Sequence, residues 1–320
     1  MEPSFSLADI EAAHARIAPH IKRTPLVRSD ALSDRLGRNV YLKAELFQKT
    51  GAFKVRGAFN KMLGLTPEQR AVGVVAVSGG NHAQAVAYVG RKLGVKTVVF
   101  MPHTTPRNYV DATRGYGAEI VFVRDANEGF ERQDGYVAQG WVSVHPFTDS
   151  LVMAGQGTTG LEIVEDVPQL TDCITSIGGG GLISGVAVAI KGRLPKARVW
   201  GVETLGADCM SRALAAGKPV QMPAITSMAR TLGAPAASEE TLAIVQRYVE
   251  SVTVVTDAEA LAALAFLLER TKMLTELAAS CTLVAADRLK AQLGEHVVLL
   301  LCGGNMGLAD LCQATLKPAS

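Results

Sequence analysis

The feature that most constrains the fold is a repeated order of elements that begins near residue 72. An apolar run rich in β-branched residues is followed by a glycine-rich turn and then by a helical stretch. Because the runs are apolar throughout, they are typical of strands covered on both faces, in a mostly parallel sheet between layers of helices. We predict strands at 72–77, 97–101, 119–123, 173–177, 198–202, 252–255 and 296–301. We predict helices at 81–93, 106–115, 157–166, 182–193, 257–272, 278–293 and 306–316. The predicted fold class is therefore α/β.

The domain organisation follows from where the chain can cross between halves. No long Pro- or Ser-rich linker interrupts it, so any division must be discontinuous. The polar segment 145–160 contains Pro146 and precedes a new series of strands, which favours a crossing there. We expect a large domain of residues 1–46 and 148–320 and a small domain of residues 47–147.

Charge and cysteine content exclude several classes of protein. The 320 residues include 32 Lys and Arg against 30 Asp and Glu, a formal balance of +2 without a basic block. We therefore expect no nucleic-acid partner. The five cysteines lack CxxC and Cys/His spacing, which argues against disulfides and structural zinc and favours a cytoplasmic location. Since no apolar segment reaches about 20 residues and no signal-peptide pattern is present, we expect no membrane partner.

Three glycine-rich turns follow predicted strands, within 74–87, 173–187 and 297–311. Glycine lets the backbone turn sharply, and the helix that follows offers unpaired N–H groups to an anion. Such turns lie at the carboxyl ends of parallel strands, where open α/β folds bind ligands. Each turn taken alone is equally well explained by helix packing. Their recurrence favours a ligand site.

The second turn is the strongest phosphate candidate, because Gly178, Gly179, Gly180 and Gly181 carry no side chain that would keep an anion from the amides. No Gly-Lys-Ser/Thr follows, so it is not a Walker motif. Glu203 lies near the distance expected for the acid of a dinucleotide fingerprint. A nucleotide-binding function therefore stays open at this point.

The first turn carries side chains that can donate hydrogen bonds, namely Ser78, Asn81 and His82. They could bind a substrate carboxylate or an oxygen of a cofactor ring. The alternatives are that Ser78 or Asn81 caps the helix and that His82 lies on the surface.

The stretch KTGAFKVRGA and the residues that follow it hold four cations, Lys49, Lys54, Arg56 and Lys61. On most helices such cations are solvated. A nucleophilic lysine would need a pKa lowered from about 10.4. The ten residues themselves do not decide between the two interpretations.

The motifs FKVRGA, SGGNHAQAVA, IGGGGLISGVA, GVET and CGGN, in this order, resemble those of the threonine and serine dehydratases. This family, which includes serine racemase, consists of fold type II pyridoxal phosphate enzymes, related in fold to tryptophan synthase β. The resemblance runs from TPLVRS, at 24–29, through the final helix. It implies two open, twisted, mostly parallel sheets flanked by helices, with pyridoxal phosphate bound by the large domain.

The resemblance also implies roles for individual residues. Lys54 would form the Schiff base with the cofactor aldehyde and act as the catalytic base, and Phe53 would pack beside the ring. Asn81 would bond the ring 3′ oxygen. The cofactor phosphate would be held by the backbone of Gly178, Gly179, Gly180, Gly181 and Leu182, and the substrate carboxylate by Ser78, Gly79, Asn81 and His82.

Cys302 falls where many members have a serine that faces the pyridine nitrogen. Together with VETLGA and MPAITSMARTLGA, it resembles the cysteine-bearing branch typified by animal liver serine dehydratase. A neutral thiol stabilises a pyridinium less than a carboxylate would, so the ring becomes a weaker electron sink and loss of a β leaving group is favoured. The alternative is that Cys302 is a small buried core residue.

Three positions depart from family patterns. Gly79 stands where serine racemase has an acid/base serine, which disfavours racemisation. Ala52 stands where a serine usually precedes Phe-Lys. The second acid of the divalent metal site is replaced by Cys209, so the resemblance favours potassium or another monovalent cation. That cation would be held at Glu203, Ala207, Leu232 and Ala234, whereas the simpler interpretation of Glu203 is a solvated strand end.

The implied activity is β-elimination from L-threonine or L-serine, which yields 2-oxobutyrate or pyruvate and ammonia. The alternatives are a dehydratase of another β-hydroxy amino acid, such as 3-phenylserine or 3-hydroxyaspartate, a racemase, a nucleotide-binding module or an inactive binding protein. Family members suggest a homodimer. The chain ends soon after CGGN, so we expect no regulatory C-terminal domain.

Overall fold

The computed structural model describes residues 2–307 and 311–312, which form ten strands in two sheets. The strands are β1 Leu26–Arg28, β2 Asn39–Ala44, β3 Val74–Val77, β4 Thr97–Pro102, β5 Glu119–Val123, β6 Val142–Ser143, β7 Asp172–Ser176, β8 Arg198–Thr204, β9 Val252–Val255 and β10 His296–Leu301. The α-helices are α1 Leu7–Ile17, α2 Asp30–Leu36, α3 Val55–Leu63, α4 Pro67–Val72, α5 Asn81–Leu93, α6 Arg107–Gly115, α7 Ala126–Val137, α8 Ser150–Asp166, α9 Gly181–Arg193, α10 Cys209–Ala216, α11 Glu239–Tyr248, α12 Asp257–Thr271 and α13 Leu277–Leu289.

The larger sheet has six strands in the order β1-β2-β10-β7-β8-β9. Every neighbouring pair is parallel except β1 and β2. All of β7 is buried, and so is β10 apart from its first residue. Burial on both faces explains why these runs are apolar throughout, as expected of a parallel sheet between helix layers.

The smaller sheet is parallel and has four strands in the order β5-β4-β3-β6. It lies within residues 47–147, and the six-stranded sheet lies outside that range. The predicted fold class of two mostly parallel sheets flanked by helices is confirmed. The domain boundaries at 46/47 and 147/148 stay a prediction.

All seven predicted strands are present, with ends within two residues of those expected. Strands β1, β2 and β6 were not predicted, and β2 shows why. It contains Lys43, which is fully buried because its Nζ donates to Glu162 Oε2 at 2.6 Å. A charge in a strand suggests exposure until its distant partner is known.

Glycines let α8 pack closely against α3 and α9. A Cβ added at Gly155 would lie 2.7 Å from Gly57 Cα, and one at Gly157 would lie 2.9 Å from Gly185 O. These distances are shorter than van der Waals contact, so a larger side chain would force the helices apart. The tight packing fixes the start of α3, immediately after Lys54.

Two predicted helices need comment. The helix predicted at 157–166 begins at Ser150, where Asp149 Oδ1 accepts from the N–H groups of Leu151 and Val152. Its start was placed too late because this cap was not considered. The helix predicted at 306–316 lies largely outside the described residues. Among those described, no helix combines the length and the apolar character needed to cross a membrane.

Candidate active site

A cavity of about 800 Å³ lies at the carboxyl ends of the strands. All three glycine-rich turns contribute to its wall, through Ser78–His82, Gly178–Leu182 and Cys302. Residues from both sheets therefore face one space. The three turns that the sequence singled out are brought together, as expected for ligand sites of open α/β folds.

Lys54 is held at the wall of this cavity by the segment before α3. Phe53 N donates to Cys302 O at 3.1 Å, and Ala52 forms an isolated antiparallel bridge with Gly303. This pairing places the first residue of the third turn beside the lysine. Lys54 Nζ lies 5.1 Å from the centroid of the Phe53 ring and donates to Pro146 O at 2.8 Å.

The surroundings of Lys54 make its neutral amine more accessible than that of an exposed lysine. The side chain is half-buried because it faces the cavity, yet protein atoms replace most of its water. Burial lowers the pKa of Lys54 to about 8, although the nearby Cys302 and Glu276 oppose this shift. No ion pair is formed by Lys54 among the described residues. Of the four cations near KTGAFKVRGA, Lys54 is the one that lines the cavity.

Arg56, two residues further on, has a different environment. Its guanidinium is fully buried and pairs with Glu45 at 2.8 Å and with Glu162 at 2.7 Å. Lys43 pairs with the same Glu162. Hydrogen bonds from Arg56 to both oxygens of each carboxylate satisfy the buried charges and tie α3 to α8.

The second turn leaves a helix N-terminus open to the cavity. Helix α9 follows Gly180, which has a φ of +94°, and no side chain caps it. A Cβ at Gly179 would overlap the ring of Phe147, and one at Gly181 would lie 2.8 Å from Phe147 Cα. These glycines are therefore needed for packing. The same backbone presents uncapped N–H groups to an anion.

The first turn places donors on another part of the wall. Ser78 Oγ accepts from Gly80 N at 3.1 Å, which leaves its hydroxyl hydrogen available. Asn81 and His82 are buried and also line the cavity. The His82 Nε2 lies 2.7 Å from Val144 O, so it must donate there. Burial lowers the pKa of His82 to about 3, so the ring is neutral and its role toward a carboxylate stays a prediction.

Cys302 lies at the cavity wall as a buried thiol that accepts from Ser176 Oγ at 3.4 Å. Burial raises the pKa of Cys302, with Glu276 adding to the effect, so the sulfur carries no charge near neutral pH. The sequence predicted a neutral group here. Its contact with a ring nitrogen stays a prediction.

Glu276 is the site residue that sequence reasoning missed. It is 5% exposed, lines the cavity and accepts hydrogen bonds from Asn81 and Thr231. Burial raises the pKa of Glu276, while these donors and the charge of Lys54 oppose the shift. The available signal was a lone acid directly before the apolar helix α13, but its partners are distant in sequence.

Glu203, the acid of the predicted cation site, is buried and hydrogen-bonded within the protein. Glu203 is fully buried, so the interpretation as a solvated strand end is wrong. Its carboxylate accepts from Met210 N and Ser211 N, both at 2.8 Å, and thereby caps α10. Burial raises the pKa of Glu203 to about 7. The described residues hold no cluster of three or more His, Cys, Asp or Glu suited to a metal.

The main-chain part of that site comes from two segments, one after β8 and one near residue 232. Ala207 N donates to Thr204 O at 2.8 Å, and Ala234 N donates to Leu232 O at 2.8 Å. Ala207, Leu232 and Ala234 are buried. Binding of potassium or another monovalent cation by these residues and Glu203 stays a prediction.

The cavity suits a phosphorylated aldehyde such as pyridoxal phosphate. An amine with a lowered pKa can condense with an aldehyde, and the uncapped start of α9 can hold a phosphate. A flat apolar surface is offered by Phe53 beside the amine. These three features are the ones that the resemblance required.

Comparisons with known proteins agree with this fit. The family model described as "Pyridoxal-phosphate dependent enzyme" matches residues 17–303. An L-threonine ammonia-lyase from Geobacter sulfurreducens is 41% identical over 305 residues, covering 94% of this chain and 76% of the relative. The catabolic L-threonine dehydratase TdcB from Staphylococcus aureus is 37% identical, covering 95% of this chain and 90% of the relative.

Solved structures show the same similarity across the whole fold. Maize serine racemase matches with a TM-score of 0.92 at 35% identity, covering 97% of this chain and 96% of that chain. The processed form of threonine deaminase isoform 2 from Solanum lycopersicum matches with a TM-score of 0.89 at 31% identity, covering 97% of this chain and 91% of that chain. By its sequence, fold and cavity, this chain belongs to the family of pyridoxal-phosphate dependent enzymes.

Proposed function

We propose that the protein is an L-threonine ammonia-lyase that also accepts L-serine. It would remove water and ammonia from the substrate and release 2-oxobutyrate or pyruvate. The observation that carries the proposal is that Lys54, an amine with a pKa of about 8, lines one cavity together with an uncapped helix N-terminus and a neutral thiol. The named threonine ammonia-lyase and dehydratase relatives support this choice of substrate.

Lys54 supplies the base for the reaction. Pyridoxal phosphate, when bound, withdraws the electrons of the bond broken at the substrate Cα. Because the pKa of Lys54 is about 8, roughly a tenth of this amine is neutral at pH 7, far more than of an ordinary lysine, and this neutral form can accept the Cα proton. The carbonyl of Pro146, 2.8 Å from Nζ, directs the amine along the cavity wall.

The two glycine-rich turns would hold the charged ends of the ligands. The N–H groups from Gly178 to Leu182 would bind the cofactor phosphate, since no side chain caps α9. The Ser78 hydroxyl and the turn before α5 would bind the substrate carboxylate, because α5 also begins without a side-chain cap. Cys302, as an uncharged thiol, would stabilise little positive charge on the ring, which favours elimination.

Racemisation is the second candidate, because maize serine racemase is among the similar structures. Gly79, where the racemase motif has serine, carries no group that can transfer a proton. A Cβ at this position would lie 2.5 Å from Thr105 Oγ1, so a side chain could enter only if Thr105 moved. These two observations favour elimination over racemisation.

The proposal is tested by the visible spectrum of the purified protein, followed by separate additions of L-threonine and L-serine with assays of 2-oxo acid and ammonia. A yellow protein that forms both products from L-threonine is the expected result. A yellow protein inert to both substrates would move the proposal to another β-hydroxy amino acid, such as 3-phenylserine or 3-hydroxyaspartate. A protein that stays colourless with added pyridoxal phosphate would overturn it and revive the nucleotide-binding alternative.

Three further expectations accompany the proposal. The protein is expected to act as a homodimer in the cytoplasm and to bind a monovalent cation near Glu203. Size-exclusion chromatography with light scattering tests the first. Activity in potassium compared with tetramethylammonium, at equal ionic strength, tests the last.

A further inference from the structure

The side-chain amide of Asn81 is hydrogen-bonded to the buried carboxylate of Glu276. Asn81 Nδ2 lies 2.9 Å from Glu276 Oε1 and 3.0 Å from Oε2. Thr231 Oγ1 donates to Oε1 at 2.9 Å. These residues belong to three separate segments, the first glycine-rich turn, the loop near 231 and the start of α13, so the carboxylate joins them.

The geometry shows that Glu276 uses only one N–H of Asn81. The two carboxylate oxygens subtend a much smaller angle at the nitrogen than the two N–H bonds of an amide do. Nearly equal distances to both oxygens therefore mean that a single N–H is shared between them. No described residue accepts the second N–H, and Asn81 lines the cavity.

The other side of the Asn81 amide is fixed as well. Asn305 Nδ2 donates to Thr50 O at 2.7 Å and to Asn81 Oδ1 at 2.8 Å. The Thr50 carbonyl can only accept, which sets the orientation of the Asn305 amide. Asn81 Oδ1 is therefore occupied, and the group of Asn81 that stays available is an N–H donor.

The hydrogen bonds also show the role of Glu276 toward its neighbours. Asn81 and Thr231 both donate to its carboxyl group, which therefore acts as the acceptor in both bonds. The charge of Lys54 favours the ionised form of Glu276, while burial raises its pKa.

We propose that Glu276 is a positioning residue that fixes the amide of Asn81, so that this amide presents an N–H donor and never its carbonyl to the bound cofactor. An amide turned the other way would direct a carbonyl oxygen at an anionic ring oxygen, which is repulsive. The inference rests on the proposed function only through the identity of the cofactor. It requires no assumption about the substrate.

The first test compares Glu276→Gln with the parent holoenzyme. A glutamine can offer Asn81 either an acceptor or a donor, so the amide orientation is then held by Asn305 alone and is weakened. We expect the cofactor to dissociate roughly tenfold faster, the loss expected for one charge-assisted hydrogen bond, with a shifted absorption maximum. Thr231→Val, which removes a hydrogen bond to the same carboxylate without touching Asn81, should change dissociation less.

The second test places Glu276→Gln in an Asn81→Ala background. If Glu276 acts through Asn81, the substitution should change cofactor dissociation by less than about twofold there. An equal effect in both backgrounds would overturn the proposal, because Glu276 would then act on the cofactor by another route.

The third test distinguishes the positioning of Asn81 from a purely structural role of Glu276. It also stays informative if Glu276→Gln folds poorly. The double variant Asn81→Asp with Glu276→Gln restores a hydrogen bond of reversed polarity between the two side chains. We expect the urea midpoint to recover while cofactor dissociation stays fast, since the cavity now receives an acceptor. Recovery of cofactor retention would overturn the proposal. A yellow parent inert to L-threonine would contradict only the proposed function.

Discussion

The buried ion-pair cluster around Arg56 and the cavity around Lys54 begin two residues apart on the same segment. Arg56 has two carboxylate partners within 2.8 Å, whereas Lys54 donates to a backbone carbonyl and has no ion pair among the described residues. Burial by itself would lower the pKa of Arg56, but its two carboxylate partners outweigh burial and raise it. Burial without such partners lowers the pKa of Lys54 to about 8.

The difference shows that the partners of a cationic side chain, more than its burial, determine whether its pKa is raised or lowered and whether it can react. Lys43, Arg56, Glu45 and Glu162 form a cluster with no net charge, which connects β2, α3 and α8. These charges neutralise each other, so the four side chains are not available for catalysis. Lys54 lacks such partners, so its neutral form is accessible and its amine can react.

The largest expected effect is the loss of activity in Lys54→Ala. Removal of the proposed base and nucleophile should lower kcat with L-threonine by roughly 10³-fold or more. Lys61→Ala, which breaks a partly buried pair with Asp149 outside the cavity, serves as the matched control. Steady-state kinetics measure both variants. Substantial residual turnover in Lys54→Ala would contradict the assignment of Lys54 as the base.

Next in size is the loss of stability in Arg56→Met. This change leaves Glu45 and Glu162 without their main partner, which should lower the free energy of unfolding by about 3–5 kcal/mol. Arg23→Met removes exposed pairs and should cost less than about 1 kcal/mol. Urea unfolding measures both free energies. Equal losses would show that the buried cluster contributes no more to stability than the exposed ion pairs do.

A smaller effect is expected in the pH dependence of stability. The pKa of Lys54 falls from its ordinary 10.5 to about 8 on folding, so between these values the unfolded chain binds more protons. The cofactor-free protein should therefore gain stability as pH rises through this window, relative to Lys54→Met, by roughly 1 kcal/mol per pH unit. Urea unfolding at several pH values measures the difference. Parallel curves for the two proteins would mean that the pKa of Lys54 is not lowered.

The smallest effect concerns Cys302. An aspartate there would hold a proton on the ring nitrogen and strengthen the electron sink, so Cys302→Asp should divert a larger fraction of turnovers to products other than 2-oxo acid. Cys302→Ser keeps a neutral group and is the comparator. Chiral amino-acid analysis alongside the oxo-acid assay measures the partition. An aspartate variant that partitions as the parent does would contradict control by the ring nitrogen.

Much of the fold followed from local patterns. Apolar runs such as 296–301 and glycine turns such as Gly178–Gly181 are set by neighbours in sequence, and both were predicted. Strand β2 was missed because its Lys43 is paired with Glu162, more than a hundred residues away. The start of α8 was predicted too late, because nothing in the local sequence distinguishes a capping residue such as Asp149 from the many other acids in the chain.

The sequence by itself determined the class of fold, the three turns and the segment that carries Lys54. Only the tertiary structure decided which cation faces the cavity, since the burial of Lys54 and the pairing of Arg56 depend on residues from α8 and the 145–147 segment. It also revealed Glu276, whose bond to Asn81 spans 195 positions. The physical reason is that pKa values and hydrogen-bond polarity depend on distance in space, which local sequence patterns do not encode.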